Sequence, residues 1–185
     1  MRITGGTYGG RRVTCPKGVI RPAMDRMRES LFSILGDISG DSFLDLFSGS
    51  GVVGIEAASR GAEPVVLVEK DGRKRRTIEE NVAFVESRIE VVTMAAEQYL
   101  ARLQRRFDLV YLDPPFKYGD KAALLQRTDT AEALVPGGLC LLHLPSQEQL
   151  PESVGELTLI DRRTYGGSTL LFYRNGRSPG DETSP

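Results

Sequence analysis

The sequence predicts an α/β fold, a mostly parallel sheet with helices on both faces. Three observations carry that prediction. From Ser42 onward, short apolar runs alternate with helix-length amphipathic spans, and repeated strand–helix units bury a parallel sheet from both sides. Gly49-Ser50-Gly51 follows the first of those runs and opens a helical span, the place where such sheets present backbone to ligands. The chain has 185 residues, 40% of them apolar and 26% charged, which suits one hydrophobic core with a small appendage.

The elements follow in order. Ile3–Tyr8 and Arg11–Thr14 flank Gly9-Gly10, and paired glycines permit the positive-φ turn of a hairpin. Pro16, Gly18 and Pro22 interrupt the chain. Asp25 is expected to cap a helix running to about Leu35, with Met24, Met27, Leu31, Ile34 and Leu35 on one face and Gly36 as its stop. Ser42–Phe47 reads as a strand, Val52–Arg60 as a helix closed by Gly61, and Val65–Glu69 as a buried strand. Gly72–Val85 reads as a helix, apolar at Ile78, Val82 and Val85. Ile89–Thr93 is the next strand, Glu97–Leu103 the next helix, Phe107–Leu112 the next strand and Lys121–Leu134 the next helix. Pro136-Gly137-Gly138 leads into a strand at Leu139–Leu144. Leu157–Arg163 and Thr169–Arg174 pair around Tyr165-Gly166-Gly167, and Asn175–Pro185 reads as a polar tail.

The formal net charge of −1 hides a split. Residues 1–28 hold Arg2, Arg11, Arg12, Lys17, Arg21, Arg26 and Arg28 against Asp25 alone, so this segment is +6 and the remainder −7. That asymmetry is the footprint of a polyanion-binding arm on a neutral-to-acidic body. Tyr8 and the glycines around it favour nucleic acid as the polyanion. The longest strongly apolar runs, Val65–Val68 and Leu139–Leu142, have four residues each. A spanning helix needs about 20, so neither a membrane segment nor a signal peptide is expected. Cys15 and Cys140 lie far apart with no C-x-x-C spacing; they read as small hydrophobes in a reducing, cytoplasmic compartment. His143 is the single histidine, which excludes a His-rich metal site. Ending an apolar run, it reads as a structural residue.

Gly49, Gly51 and Gly54 spell G-x-G-x-x-G, and Glu69 stands twenty residues after Gly49 at the end of the next strand. An acid there can accept two hydrogen bonds from a ribose diol. Nicotinamide and S-adenosylmethionine (SAM) enzymes share this arrangement, so the loop alone does not choose between them. Asp45, four residues before Gly49, tilts the reading. A carboxylate there favours the cationic methionine part of SAM and repels a pyrophosphate.

Phe107–Leu112 is followed by Asp113-Pro114-Pro115-Phe116, at the edge of the sheet where ligands bind. An exocyclic amine on a nucleobase is a poor nucleophile, because its lone pair is delocalised into the ring. The Asp113 carboxylate and the Pro114 carbonyl are two acceptors that can grip such an amine and aim its lone pair. Proline adds no competing amide hydrogen and stiffens the turn, while Phe116 offers a face for base stacking. The base has to leave its stack to reach such a pocket.

Asp45–Gly51 together with Asp113–Phe116 resembles the class I SAM-dependent amino-methyltransferases that modify nucleic-acid bases. A fuller resemblance, from Arg2 to about Tyr173, is to the RsmD family, bacterial methyltransferases acting on the exocyclic N2 of a guanine in 16S rRNA. It is carried by Arg2-Ile3-Thr4-Gly5-Gly6, Gly9-Gly10-Arg11-Arg12, Pro16-Lys17-Gly18, Arg21-Pro22, Asp25–Phe32, Tyr165-Gly166-Gly167-Ser168-Thr169 and Phe172-Tyr173. The resemblance implies a Rossmann-like sheet of seven strands, the last antiparallel, with a small N-terminal hairpin extension. It implies SAM as cofactor, no metal, and action on 16S rRNA within an assembling small ribosomal subunit; a monomer is expected. The chain is expected to divide into an RNA-binding extension over residues 1–36, a methyltransferase domain over 37–175 and a disordered tail over 176–185.

The site residues so assigned are Asp113, Pro114, Pro115 and Phe116 for catalysis. Asp45, Phe47, Ser48, Gly49, Gly51, Glu69, Lys70, Ala95, Ala96 and Asp113 are assigned to the cofactor. The seven basic residues from Arg2 to Arg28 are assigned to RNA, with phosphate contact and structural ion pairing both open to Arg21, Arg26 and Arg28. Three positions depart from the family pattern. Ala23 stands where Arg-Pro-Thr is usual, Thr93-Met94-Ala95-Ala96 lacks the acid expected to read the adenine amine, and His143-Leu144-Pro145 replaces a common acid. Backbone amides of Ala95 or Ala96, or the Glu97 carboxylate, are the replacements expected for the lost contact. Other readings stay open: an amino-methyltransferase for another base in RNA or DNA, a nicotinamide-dependent oxidoreductase, and a non-catalytic RNA-binding assembly protein.

Overall fold

The computed structural model describes residues 1–15 and 22–179. The chain forms two compact units, Met1–Ala96 and Glu97–Pro185. In chain order the elements are α1 (Pro22–Leu35), β1 (Phe43–Asp45), α2 (Val52–Ser59), β2 (Val65–Glu69), α3 (Arg75–Val82), β3 (Ile89–Thr93), α4 (Ala96–Leu100), β4 (Phe107–Leu112), α5 (Lys121–Thr130), β5 (Leu134–Pro145), β6 (Ser153–Val154), β7 (Leu157–Tyr165) and β8 (Ser168–Asn175).

In the first unit β1, β2 and β3 pair in parallel, in the order β3-β2-β1. β2 is buried along its whole length, as a strand covered on both faces has to be. The N-terminal hairpin is shorter than expected. Only Arg2 and Arg12 form an antiparallel bridge, because residues 4–8 turn aside to hydrogen-bond with α2. Thr4 donates its amide and hydroxyl to Glu56, Tyr8 N donates to Ser59 Oγ, and Ser59 Oγ donates to Gly5 O. Gly6 lies 1.9 Å, measured from a would-be Cβ, from the Ser59 carbonyl and has φ +73°, so this close approach requires glycine. Ile3, Tyr8 and Val13 join Val52 and Ile55 in one buried cluster. The segment read as an arm is therefore packed along its apolar side.

α1 begins at Pro22 rather than at Asp25. Proline suits a first helical position, and Asp25 instead sits inside α1, paired with Arg28. β1 is three residues long because the chain turns after Asp45, whose Oδ1 accepts from Phe47 N at 3.2 Å. The expected helix over 72–85 divides into a 3-10 turn at Gly72–Lys74, capped by Asp71, and α3.

In the second unit the strand order is β4-β5-β8-β7-β6. β4 and β5 are parallel, and the remaining pairs are antiparallel. Eight strands are present among the described residues, one more than expected; the extra one is the two-residue β6. α5 stops at Thr130, where Ala131, Glu132 and Ala133 donate back to the helix end and Glu132 takes φ +47°. Leu134 thereby begins β5, which runs through Pro136-Gly137-Gly138 with a register shift opposite Phe107 and Leu109.

Candidate active site

The residues singled out above fall into two groups, one in each unit. In the first unit, β1 delivers Asp45 as a buried carboxylate. The loop after it is fixed by backbone hydrogen bonds from Ser48 N to Val68 O at 3.0 Å and from Gly51 N to Ser48 O at 2.7 Å. Gly49 and Gly51 both adopt left-handed backbone, φ +57° and +80°. A Cβ at Gly49 would meet only the Phe47 carbonyl oxygen, at 3.9 Å, whereas one at Gly54 would lie 2.2 Å from Leu67 Cδ2. Gly54 therefore serves helix–strand packing, while Gly49 serves the loop's conformation and leaves room beside it. Ser48 Oγ is buried and has no hydrogen bond among the described residues, so this loop carries a polar atom that a ligand could satisfy.

Glu69 faces the same loop. Its Oε2 accepts from Gly49 N and from Lys74 Nζ, both at 3.0 Å, and its Oε1 accepts from Asp71 N at 2.8 Å. A carboxylate has about four acceptor sites. One remains, so Glu69 can take one ribose hydroxyl where the sequence suggested two. Phe47 is half-buried and Lys70 exposed. Ala95 is half-buried and Ala96 buried at the start of α4, after Met94 N has bonded Glu69 O at 3.1 Å. Glu97, the side chain that could have replaced the missing acid of this turn, accepts from the Tyr118 hydroxyl.

In the second unit β4 ends at Leu112 opposite Leu142 of β5. Asp113 follows Leu112 and His143 follows Leu142, and Asp113 Oδ1 lies 2.8 Å from His143 Nδ1. The Asp113 side chain keeps 24% of its exposure. His143 is 4% exposed, and its Nε2 is buried with no hydrogen bond among the described residues. Pro114 is buried and Pro115 exposed. Phe116 is 40% exposed, its ring edge-on to the imidazole with centroids 5.5 Å apart.

The loop that carries Phe116 is braced from below. Tyr118 N donates to Pro115 O at 2.7 Å. Lys121, buried at the start of α5, donates Nζ to Phe116 O at 3.3 Å, Tyr118 O at 3.2 Å and Glu148 at 2.9 Å. Burial, then the hydrogen bond to Glu97, pushes the Tyr118 phenol up to about 12. The result is an aromatic face and a carboxylate on one rigid turn, which can stack a planar base and accept from its amine.

The structure sorts the basic residues. Arg2, Arg11, Arg12 and Arg26 are exposed. Arg11 lies over the Phe84 ring at 4.8 Å. Arg28 is 2% exposed, donates to the Arg2 carbonyl and pairs with Glu56 at 3.4 Å and Asp25 at 3.1 Å. It joins α1 to α2 and the N-terminal segment, and so leaves the set of surface cations. Lys17 and Arg21 lie outside the described residues. Among the described residues no group of three or more His, Cys, Asp and Glu could hold a metal ion, and no helix is long and apolar enough to cross a membrane.

Sequence reading missed His143, Lys121 and the Tyr118–Glu97 pair. In the sequence Asp113 and His143 each follow an apolar run, but that these two runs become neighbouring parallel strands is seen only in the fold.

The family described as Conserved hypothetical protein 95 matches residues 1–174. A Bacillus subtilis (strain 168) protein provisionally named rRNA methyltransferase YlbH is 34% identical over 181 residues, covering 94% of this chain and 98% of that protein. Ribosomal RNA small subunit methyltransferase D of Escherichia coli (strain K12) is 37% identical over 122 residues, 64% of this chain and 62% of that protein. The solved structure of a provisionally assigned methyltransferase, yhhF from Escherichia coli, superposes with a TM-score of 0.87 at 30% identity, covering 96% of this chain and 99% of that one.

Proposed function

The chain belongs to the family described as Conserved hypothetical protein 95, the RsmD family, and from that premise we propose that it is a SAM-dependent methyltransferase acting on the exocyclic N2 amine of a guanine in 16S rRNA. The observation that carries the reading is the turn after β4. There Asp113 is held by a buried imidazole beside an exposed Phe116.

SAM supplies, when bound, an electron-poor methyl carbon on a sulfonium centre. Asp45, Phe47, Ser48, Gly49, Gly51, Glu69, Lys70, Ala95, Ala96 and Asp113 are the residues that would hold it. Two observations favour the fit. Ser48 Oγ is a buried hydroxyl without a partner among the described residues, and Glu69 keeps one acceptor site. The buried Asp45 carboxylate also suits a cationic ligand better than a pyrophosphate, which disfavours a nicotinamide cofactor.

The chain's own groups then do the rest. Phe116 stacks the extruded base. The Asp113 carboxylate and the Pro114 carbonyl accept from the two amine hydrogens and turn the nitrogen lone pair toward the methyl donor. Their hydrogen bonds strengthen as the nitrogen becomes tetrahedral, so they favour the transition state over the ground state. The surplus proton becomes acidic only on the alkylated nitrogen and leaves to water.

Rigid positioning therefore carries the rate, and a strong base is not required. Arg2, Arg11, Arg12 and Arg26 are the exposed cations for the rRNA backbone. Arg2 and Arg12 face each other across the bridge, a like-charge pair that costs stability unless an anion lies between them. We place the protein in the cytoplasm, as a monomer working on an assembling small subunit.

The test is transfer of tritiated methyl from SAM to 16S rRNA, or to small-subunit particles, from cells lacking the protein. Mass spectrometry of the nucleosides follows. N2-methylguanosine is expected, and Asp113→Ala should lower kcat by about a hundredfold. Label on adenine or cytosine would replace guanine in this reading. Absence of label from every RNA would overturn it in favour of a non-catalytic RNA-binding role.

A further inference from the structure

We propose that His143 is a positioning residue of the amine site: as its Nδ1–H tautomer it ties down one oxygen of Asp113 and leaves the other to accept from the substrate amine. The inference rests on the function proposed above, yet its first observation is independent of any substrate. His143 Nδ1 and Asp113 Oδ1 are 2.8 Å apart. An ionised carboxylate can only accept, so Nδ1 carries the proton of this bond.

The geometry leaves the second oxygen available. Asp113 Oδ2 makes no hydrogen bond among the described residues, and the side chain keeps 24% of its exposure. Without the imidazole, a carboxylate at a strand end would turn about its side-chain bonds, and the amine would lose a fixed acceptor. A misplacement of about 1 Å can cost on the order of a hundredfold in rate.

A purely structural role explains His143 poorly. Its Nε2 is buried with no partner among the described residues, a cost of roughly 1–3 kcal/mol for an unsatisfied buried polar atom. A leucine would fill the same strand position, next to Leu142 and Leu144, without that cost. Natural sequences keep such costs chiefly at functional sites.

Two measurements test this. Because His143 is the only histidine, the imidazole nitrogens of a 15N-histidine sample report on one residue. A proton on Nδ1 is expected in the wild type, shifting to Nε2 in Asp113→Ala. A wild-type imidazole with bare Nδ1 and protonated Nε2 would overturn the proposal. In methyl transfer, His143→Leu should lower kcat ten- to a hundredfold, with RNA KM within twofold of wild type. His143→Asn, whose amide N–H lies near the Nδ1 position, should recover most of that loss.

His143→Leu at wild-type kcat, or His143→Asn no faster than His143→Leu, would also overturn it. Where the leucine variant does not fold, His143→Gln takes its place, since its amide reaches the Nε2 position instead. Failure of the wild type to methylate any RNA would count against the proposed function and leave the tautomer result standing.

Discussion

Lys121 sits where an ammonium group is expensive, 3% exposed, and is kept there by three groups: two carbonyls of the Phe116–Tyr118 turn and the Glu148 carboxylate. Lys121→Met preserves the bulk and removes the donors. It should cost about 1–3 kcal/mol in urea unfolding and raise amide exchange at Lys117–Asp120. Unchanged exchange there would mean that the turn does not depend on this lysine. Tyr118 gives a pH signature. Its phenol is pushed up to about 12 by burial and by Glu97, and burial holds Tyr173 at about 12 as well. An unfolded tyrosine ionises near 10, so between about 10 and 12 the unfolded chain loses protons that the folded chain keeps. Stability is therefore intact below pH 10 and falls as pH rises through the folded values. Thermal melts across pH 9–12 should show that fall, and Tyr118→Phe should make it shallower. At this scale Asp113–Phe116 was legible because its four residues are contiguous. His143 was not, because its partner lies thirty positions away.

Glu56 shows what an element can hide. It is fully buried inside α2, a largely apolar helix, and serves four groups: the amide and hydroxyl of Thr4, Arg60 at 3.0 Å and Arg28 at 3.4 Å. Glu56→Gln keeps the shape and leaves the buried Arg28 guanidinium without a charge partner on α2. A loss of about 3–5 kcal/mol in denaturant unfolding is expected, together with faster proteolysis within residues 1–15. A variant as stable as wild type would show that the N-terminal segment is held by its apolar contacts alone. Asn81 does related work from α3. Its amide donates to Thr14 O and Ser50 O and accepts from Thr14 N, joining the end of the basic segment to the glycine loop. Strands β2, β3 and β4 have the bounds expected from the sequence. The ends of α3, α5 and β5 moved, because turn hydrogen bonds decide them: the Asp71 cap before α3 and the back-bonded residues after α5.

For the molecule as a whole, the charge split sets the prediction for RNA. Arg2 and Arg12 are exposed and adjacent across the bridge. Replacing both with Ala should weaken 16S rRNA binding and reduce the slope of log affinity against log salt by up to about two, while SAM binding stays unchanged. An unaltered slope would return both residues to ordinary surface charge. Arg28, equal to them in the sequence, is excluded from that prediction by its burial. Sequence by itself determined the alternation of strands and helices, the glycine loop with its facing acid, and the tetrapeptide that ends β4. Each is written in adjacent residues or in a short period that local backbone geometry obeys. Tertiary structure alone decided which arginine is a strut, how many acceptor sites Glu69 keeps, that the basic segment lies packed along its apolar side, and that a histidine holds Asp113. Those outcomes depend on hydrogen-bond partners brought together from distant positions, and burial raises the cost of leaving any of them unpaired.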